Sequence, residues 1–558
     1  LSSWNVDVVA GRDEEPVVGL PFLSLDLGKH EGFFLSSVSF GSSNKFGTYL
    51  QTRWRPTHLG VDAEWIDDWF VNLDYYSDRG PAIGTELEYE YLDVQRRRHE
   101  GALRAYYVHD SGSTDETNLA VPKNNRGRVW LKHRVEWDPY WRTDAEFYWM
   151  SDSGFLDEYF ELEFEEKPPE TYVYTRKRRE NTWLALTMEK RVNHFMTQLE
   201  ELPAFEAQWI GVPWGGVAYD GSFVAGHYNL EVSNELAQPD PPDLFRVHTD
   251  HRFSFPFMRW SMKFDPFVRV LATYASEGAQ VAGDWSGSET RVGFGAGMRA
   301  SAELSRSYDV QSRFFELNRL RHVLTPYAEM ETLSAGDSAD FIQLGGWDPW
   351  PRRGSGPRVN TDEIDAIDDR TAFRFGLRQR LQTKRRQEDG PWRDVDWLDA
   401  DFAFVSRSDD SVRIANDDDY IDMDLTWRVL PWMTISSRDN RFSLDDDGTD
   451  VYNLKADFDL GRGSGLGVGY YRVENRSETL RTSLTAQLSD RYRLRVFERY
   501  EFDSGGSGDS SNSETEVILS RLFHKWILEI GLHYESADNG EKAIIIGFSP
   551  MGLDFWQW

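Results

Sequence analysis

Two glycine-rich stretches are the first parts of this chain whose residue types and spacing could do chemistry. Alternating glycines in a loop can cradle a phosphate, provided that the loop follows a strand and opens a helix. Both stretches instead lie inside strand patterns, with no helical pattern behind them. We therefore interpret them as small residues that face a crowded or bending wall. They are Gly293, Gly295 and Gly297, and Gly463, Gly465 and Gly467.

Nucleophilic catalysis has little support in the sequence. The chain has no cysteine, which removes thiol nucleophiles, thiolate metal sites and disulfides. Serine, histidine and aspartate are present, but no spacing singles out a set in which a base could activate a nucleophile. His322 is interpreted as structural. We predict no catalytic residue and no enzyme activity.

The charge is strongly acidic. The 62 basic and 94 acidic residues leave a net charge of -32, which argues against nucleic acid as a partner. Acidic clusters at 417–419 and at 445–447 are interpreted as solvated loop tips, with divalent-cation binding as the alternative. We predict no cofactor and no metal site beyond that alternative.

Long stretches alternate apolar and polar residues, which is the period of a β-strand. From Arg291 onward the apolar face carries Val292, Phe294, Ala296, Met298, Ala300, Ala302 and Leu304. The same period returns in segments 86–91, 144–149, 421–429 and 454–460. Each of these strands has one apolar face and one mostly polar face.

Membrane strands explain this pattern better than stacked soluble sheets. No run of 18 apolar residues exists, and the mean hydropathy is -0.60, so helical spans are excluded, whereas strands with one apolar face escape hydropathy windows. Alternation alone does not separate a barrel from a lectin-like sandwich. The 22 Trp and 24 Tyr, several at predicted strand ends such as Trp137 and Trp432, resemble the aromatic girdles of membrane barrels.

The connections between predicted strands are of two kinds, which also favours a membrane barrel. A tight one at Leu430 to Trp432 contrasts with the long polar segment 503–513, and outer-membrane barrels have short turns on one side and long loops on the other. At roughly 21 residues per strand and connection, the chain would form about 26 strands. The sequence therefore predicts an all-β fold, a large transmembrane antiparallel β-barrel with a wide polar lumen.

Two segments of the chain carry a resemblance to a known family. The first runs from Pro16 to Gly47 and continues at 74–91. The second is RLRHVLTPYAEM, residues 319–330, with Arg321, His322 and Pro326 at its centre. Together they resemble the LptD family of lipopolysaccharide-assembly translocons of the outer membrane, in which an Arg-His segment is followed by Pro. The resemblance spans a barrel-like pattern over nearly the whole chain.

This resemblance implies a barrel whose first and last strands meet in a seam that acts as a lateral gate for lipid. Pro21 is expected to weaken the pairing of the first strand, because proline has no N–H for a ladder. The last strand is predicted at 542–549. The gate residues implied are Pro21, Phe33, Phe34, Ile545 and Phe548. A second proline expected in the first strands is absent, since Ser36 and Ser37 occupy that stretch.

The resemblance also implies the domains and partners. Residues 1–12 are expected to be the tail of a periplasmic N-terminal domain and 13–558 the barrel, and the start at Leu1 without a leader indicates a processed or truncated product. Expected partners are lipopolysaccharide, a plug lipoprotein of the LptE type, and periplasmic bridge proteins that would act through a missing N-terminal domain. The expected location is the outer membrane. A passive outer-membrane porin is the alternative function.

Overall fold

The computed structural model describes residues 2–9, 16–24, 34–59, 63–113, 124–160, 169–236, 240–281, 284–336, 340–342, 344, 364–365, 367–386, 392–409, 419–444, 450–474, 476–502, 512–524, 526–536 and 540–550. The first two strands, β1 (Ser2–Val9) and β2 (Pro16–Ser24), form a separate antiparallel pair. The strands of the large sheet begin at Leu35.

The first part of the large sheet contains β3 (Leu35–Ser43), β4 (Gly47–Trp54), β5 (Ile66–Tyr76), β6 (Gly80–Leu92), β7 (Arg98–His109), β8 (Asn125–Asp138), β9 (Trp141–Met150), β10 (Tyr172–Arg179), β11 (Thr182–Glu189), β12 (Gln198–Trp214), β13 (Val217–Glu231), β14 (Leu244–Ser254), β15 (Phe257–Arg259) and β16 (Met262–Ala275). A small hairpin of β17 (Gln280–Val281) and β18 (Asp284–Trp285) follows.

The second part contains β19 (Glu289–Ala302), β20 (Leu304–Ser312), β21 (Leu317–Ser334), β22 (Arg370–Arg386), β23 (Trp392–Asp409), β24 (Tyr420–Leu430), β25 (Met433–Ser443), β26 (Val451–Gly461), β27 (Ser464–Val473), β28 (Ser477–Ser489), β29 (Tyr492–Glu501), β30 (Asn512–Leu522), β31 (Trp526–Glu535) and β32 (Lys542–Pro550). The named helices are a 3₁₀ turn at Pro56–Leu59 and α1 at Phe155–Tyr159. In the described part of the chain, no helix is long and apolar enough to cross a membrane.

The large sheet is a closed antiparallel barrel of 26 strands. Neighbouring strands pair all the way round, and β3 pairs with β32 to close the wall. Two of the 28 segments continue the strand before them: β15 extends β14 past Pro256, and β20 extends β19 past Glu303. A proline that cannot donate to the ladder explains the first interruption. The predicted all-β barrel of about 26 strands is confirmed.

The two faces of the wall differ as the alternation predicts. On β19, Phe294 is 63% exposed and Met298 is 46% exposed, whereas Arg291 is only 6% exposed. Large apolar side chains at alternate positions form an outward surface on the other strands too, for example Leu50, Ile83, Phe147, Phe205, Phe375, Ile421 and Ile544. Such a surface belongs in hydrocarbon. The polar face of each strand therefore lines the lumen.

Glycines on the luminal face make room for large neighbours. A Cβ on Gly297 would lie 2.4 Å from the ring of Phe267, and one on Gly293 would lie 2.9 Å from Leu271. The interpretation of the first glycine stretch as residues of a crowded wall is confirmed. Gly463 is different, because it lies in the tight turn between β26 and β27 with a φ of +77°, a conformation that glycine adopts without strain.

The two ends of the barrel are unlike. Tight turns join the strands at one end, with positive φ at Glu180, Trp260, Ser261 and Arg462. The connections at the other end include the long ones between β9 and β10 and between β21 and β22. This is the layout of outer-membrane barrels, whose long loops are extracellular. With the apolar outer surface, it identifies the chain as a transmembrane barrel of the outer membrane.

Candidate functional site: the seam and the luminal wall

The barrel closes through a ladder between its first and last strands. Six residue pairs form this seam, from Val38 opposite Phe548 to Ser43 opposite Ala543. Asn44 continues the join at the loop end: its N–H donates to the carbonyl of Lys542 at 3.3 Å, and its side-chain oxygen accepts from the N–H of Lys542 at 2.8 Å.

The seam differs from other ladders of the barrel in its residue composition more than in its length. The ladder between β4 and β5 also has six pairs, but its β4 residues include Tyr49, Arg53 and Trp54. The seam strand β3 presents serine or glycine at four of its six paired positions, and β32 faces it with three isoleucines, one phenylalanine, one glycine and one alanine. Cross-strand side-chain pairs stabilise sheets by roughly 0.2–1 kcal/mol each. The serine and glycine residues of β3 provide little of that stabilisation.

The predicted gate residues do not all meet at the seam. Ile545 is buried on the luminal face opposite Gly41, and Phe548 lies opposite Val38 with its ring stacked on Trp526 at 4.7 Å. Phe34 is buried just before β3, outside the pairs with β32. Phe33 lies outside the described residues.

Pro21 lies in a different sheet from the seam. It belongs to β2, which pairs with β1, and the first barrel strand begins only at Leu35. This corrects the expected place of Pro21 in the first barrel strand and the expected start of the barrel at residue 13. The physical reason is that a short apolar segment pairs equally well in a hairpin and in a wall, so its sequence does not fix its partner.

An inward-folded segment lies on the luminal side of the seam. Helix α1 belongs to the β9–β10 connection, and Phe155 and Leu156 are buried in one apolar cluster with Ile545 of β32 and Phe46 of the β3–β4 turn. The Tyr159 ring lies 5.4 Å from that of Phe46, and Lys45 Nζ donates to the carbonyl of Asp157 at 3.2 Å. The sequence analysis missed this helix, whose only local signal is an apolar pair followed four residues later by a tyrosine.

Buried ion pairs hold α1 in place. Arg126 on β8 is fully buried and donates to Asp110 at 2.8 Å and bidentately to Asp152 at 2.8 and 3.1 Å. It also contacts Glu158, and so does Arg79. Every nitrogen of the Arg126 guanidinium therefore has a carboxylate partner, which a buried cation needs to offset its lost hydration.

Tyr159 completes this cluster. Its hydroxyl donates to Asp110 at 3.1 Å. Burial, together with the nearby charges of Asp110 and Glu158, raises the pKa of Tyr159 above its ordinary value. The phenol is therefore a neutral donor at physiological pH.

A second inward segment comes from the β21–β22 connection. Arg246 Nη1 donates to Asp365 at 2.6 Å, and Arg291 donates to the carbonyls of Ile364 and Ile367 at 2.6 and 2.7 Å. Phe341, Ile342 and Leu344 of the same connection are buried in a cluster with the wall residues Leu199, Tyr228, Leu230 and Leu244. Together, the two segments cover part of the loop end of the lumen.

Basic residues line a luminal cavity of about 860 Å³ between β15 and β23. Its charged lining residues are Lys263, Arg299, Arg374 and Arg378, with Asp265, Glu329 and Asp401. Tyr327 of the predicted family motif also lines it, and its hydroxyl donates to Asp401 at 2.9 Å. The lumen thus contains cationic groups despite the acidic net charge.

The other motif residues divide between the two faces. Arg321 lines a neighbouring cavity of about 540 Å³. His322 and Pro326 lie at alternate positions of β21 that share a face with the outward Met330. The acidic clusters predicted at 417–419 and 445–447 lie outside the described residues except for Asp419.

The chain matches no protein-family model, and no curated protein sequence matches it. Solved structures similar in fold are large outer-membrane barrels. The ferric-catecholate import receptor Fiu of E. coli has 8% identity over 93% of this chain and 81% of its own, with a TM-score of 0.33. OpdN of Pseudomonas aeruginosa has 7% identity over 94% and 98%, with a TM-score of 0.24. The pore of the P pilus usher PapC has 8% identity over 92% and 98%, with a TM-score of 0.25.

Proposed function

We propose that this outer-membrane barrel is a translocon that inserts lipopolysaccharide into the outer leaflet, through a lateral gate between β3 and β32. The observation that carries the proposal is the seam itself, a six-pair ladder in which the first strand offers mainly serine and glycine. Transport, rather than an enzyme reaction, is the activity proposed.

A lateral gate suits an amphiphilic substrate. The acyl chains of lipopolysaccharide favour hydrocarbon and its sugars favour water, so sugars would cross the lumen while acyl chains leave sideways. Opening means separating ladder partners in lipid, where each unsatisfied backbone group costs several kcal/mol. A ladder in which one strand offers mainly small side chains lowers that cost.

The luminal arginines bear on the charge of the substrate. Many lipopolysaccharides are anionic, and an entirely acidic lumen would repel them. The cavity lined by Lys263, Arg299, Arg374 and Arg378 offers four cationic groups against three carboxylates. Guanidinium groups bind phosphate bidentately, so this wall is compatible with phosphorylated sugars.

Partners follow from the same proposal. A plug lipoprotein of the LptE type and periplasmic bridge proteins remain predictions of the sequence resemblance. Divalent cations that bridge acidic residues to the substrate are a further prediction.

The test is a covalent lock across the seam. The protein has no cysteine, so introduced pairs are unambiguous. Cysteines at Ser39 and Gly547, or at Phe40 and Ile546, replace residues paired in the seam. In cells that depend on this chain, oxidation is expected to stop surface delivery of lipopolysaccharide, and reduction is expected to restore it.

The matched control is a lock in a ladder that is not proposed to open. Phe375 and Phe404 are paired on β22 and β23, within a ladder of 17 pairs, and cysteines there should leave delivery unchanged. Heat-modifiable migration on a gel shows that each variant is folded. Normal delivery through a fully formed seam lock would overturn the proposal.

A passive porin is the alternative, and the charged lumen favours it. A porin conducts ions freely in a planar bilayer with or without the seam lock and delivers no lipopolysaccharide. Two results together would assign the pore role instead: the locked protein conducts ions steadily, and the lock leaves lipopolysaccharide delivery unchanged because another protein performs it.

A further inference from the structure

One histidine and two glutamates converge on the luminal face of β30 and β31. His533 and Glu535 are two positions apart on β31, so they share a face, and Glu514 is the direct cross-strand partner of Glu535. The alternate residues Leu532 and Tyr534 are 48% and 47% exposed on the outward surface. The three side chains therefore point into the lumen, where each is half-buried.

Their distances fit a single metal ion. One ligand atom from each residue can be chosen so that all lie within 4.8 Å of one another, and His533 Nε2 lies 3.7 Å from Glu535 Oε1. Bond lengths of roughly 2.0–2.2 Å place two ligands of one tetrahedral ion about 3.4 Å apart. The most distant pair of ligand atoms must therefore approach by about 1.4 Å at most to share one ion.

Neighbouring groups orient both carboxylates. Glu535 Oε2 accepts from the N–H of Glu541 at 3.0 Å, and Oε1 is the oxygen that faces the imidazole. Glu514 Oε2 lies 3.3 Å from Arg499 Nε. One oxygen of each carboxylate is thus held by an outer partner, as around metal ligands in general.

Electrostatics favours a cation between these residues. Two carboxylates directly opposite each other on adjacent strands repel, and Glu516, the cross-strand partner of His533, adds a third on the same face. Arg499 lies against Glu514, Arg495 and Lys45 act on Glu516 and Glu535, and Glu541 adds a further acid near His533. The imidazole separates this group from an ordinary acidic patch, because neutral histidine offers a cation a lone pair without adding charge.

We infer that Glu514, His533 and Glu535 form a binding site for a divalent transition-metal ion, with zinc as the best-fitting example. One imidazole and two carboxylates suit zinc, cobalt or manganese, whereas calcium and magnesium prefer oxygen ligands alone. The bound ion would join β30 to β31. It would also fix the Glu535–Glu541 contact beside the start of β32.

The experiment uses the full chain folded in detergent and stripped of metal with a chelator. Calorimetric titration with Zn²⁺ is expected to give one saturable site, and Co²⁺ should give the visible absorption of a low-symmetry complex. His533→Gln and Glu535→Gln are each expected to weaken Zn²⁺ binding at least tenfold. Glu501→Gln is the matched control, because it removes a nearby exposed acid that contacts Arg499 and should change affinity less than twofold.

Two results would overturn the inference: no saturable binding to the folded wild-type barrel, or equal affinity in wild type and His533→Gln. Heat-modifiable migration confirms that each variant is folded before titration. The readout is metal affinity alone, so it is independent of the transport proposal.

Discussion

The two segments that fold into the lumen are fastened by buried arginines in different ways. Arg126, which holds α1, has a carboxylate partner for every guanidinium nitrogen. Arg246, which holds the β21–β22 connection, pairs with Asp365 through Nη1, but its Nε and Nη2 are buried without a hydrogen-bond partner in the described part of the chain. We call the Arg126 cluster a saturated anchor, because every guanidinium nitrogen has a partner, and the Arg246 contact an unsaturated anchor. The saturated anchor is the one that lies against the seam.

The largest effect is expected from Arg126→Ala. It leaves Asp110, Asp152 and Glu158 buried without their shared cation, and breaking a buried ion pair costs about 3–5 kcal/mol. Urea titration of the folded barrel in lipid vesicles measures the loss, and hydrogen exchange should localise it to residues 151–160. A loss below 1 kcal/mol would show that the acids are hydrated and the anchor is not saturated.

A smaller effect is expected from Arg246→Ala. The change removes the guanidinium partner of Asp365, whose other oxygen still accepts from the N–H of Leu344 at 2.6 Å. It also removes two unsatisfied donors, so the net loss should be about 1–3 kcal/mol. The same urea titration gives the value. If it equals or exceeds the loss for Arg126→Ala, the contrast between the two anchors is wrong.

Tyr159→Phe tests whether the tyrosine hydroxyl contributes to the saturated anchor. The change removes the hydroxyl that donates to Asp110 but keeps the ring against Phe46, and one hydrogen bond contributes about 0.5–1.5 kcal/mol. Tyr107→Phe is a suitable control, because its hydroxyl bonds Asn125 on the exposed surface. Equal small losses in both variants would place Tyr159 outside the anchor.

The smallest effect is expected from lowering the pH around Asp369, at the end of the β21–β22 connection. Asp369 Oδ1 accepts from the N–H groups of Gly336 and Ala335 at 2.8 and 2.5 Å, and these bonds lower the pKa of Asp369 below its usual 3.8. The bonds are therefore at full strength above about pH 4 and weaken as pH falls through the lowered pKa. Amide exchange at Ala335 and Gly336, corrected for intrinsic rates, should lose protection on acidification, and Asp369→Ala should have little protection to lose at any pH.

Much of the fold could be predicted, because its information is local. The alternation from Arg291 to Leu304 assigned the outward face of β19 correctly, since side chains on a strand point to opposite sides by geometry alone. The strand number followed from the repeat length. The aromatic residues Trp137 and Trp141 at a tight turn are exposed as predicted for a girdle.

The luminal arrangements escaped sequence reasoning. Asp110 follows β7, Arg126 is on β8 and Glu158 is on helix α1, and nothing in their spacing connects them. For Pro21 the sequence predicted a strand correctly but not its partner, because this strand pairs with β1 and not with the barrel wall. Pairing partners depend on chain closure, which no local pattern encodes.

The sequence by itself determined the strand period, the apolar exterior and the polar interior of this protein, because these follow from side-chain chemistry within a few residues. Only the tertiary structure decided that the wall closes between β3 and β32, that α1 lies behind that join, and that His533 meets Glu514. Those outcomes depend on the register between strands and on loops that return to the lumen, and contacts between distant residues are set by the closed barrel as a whole.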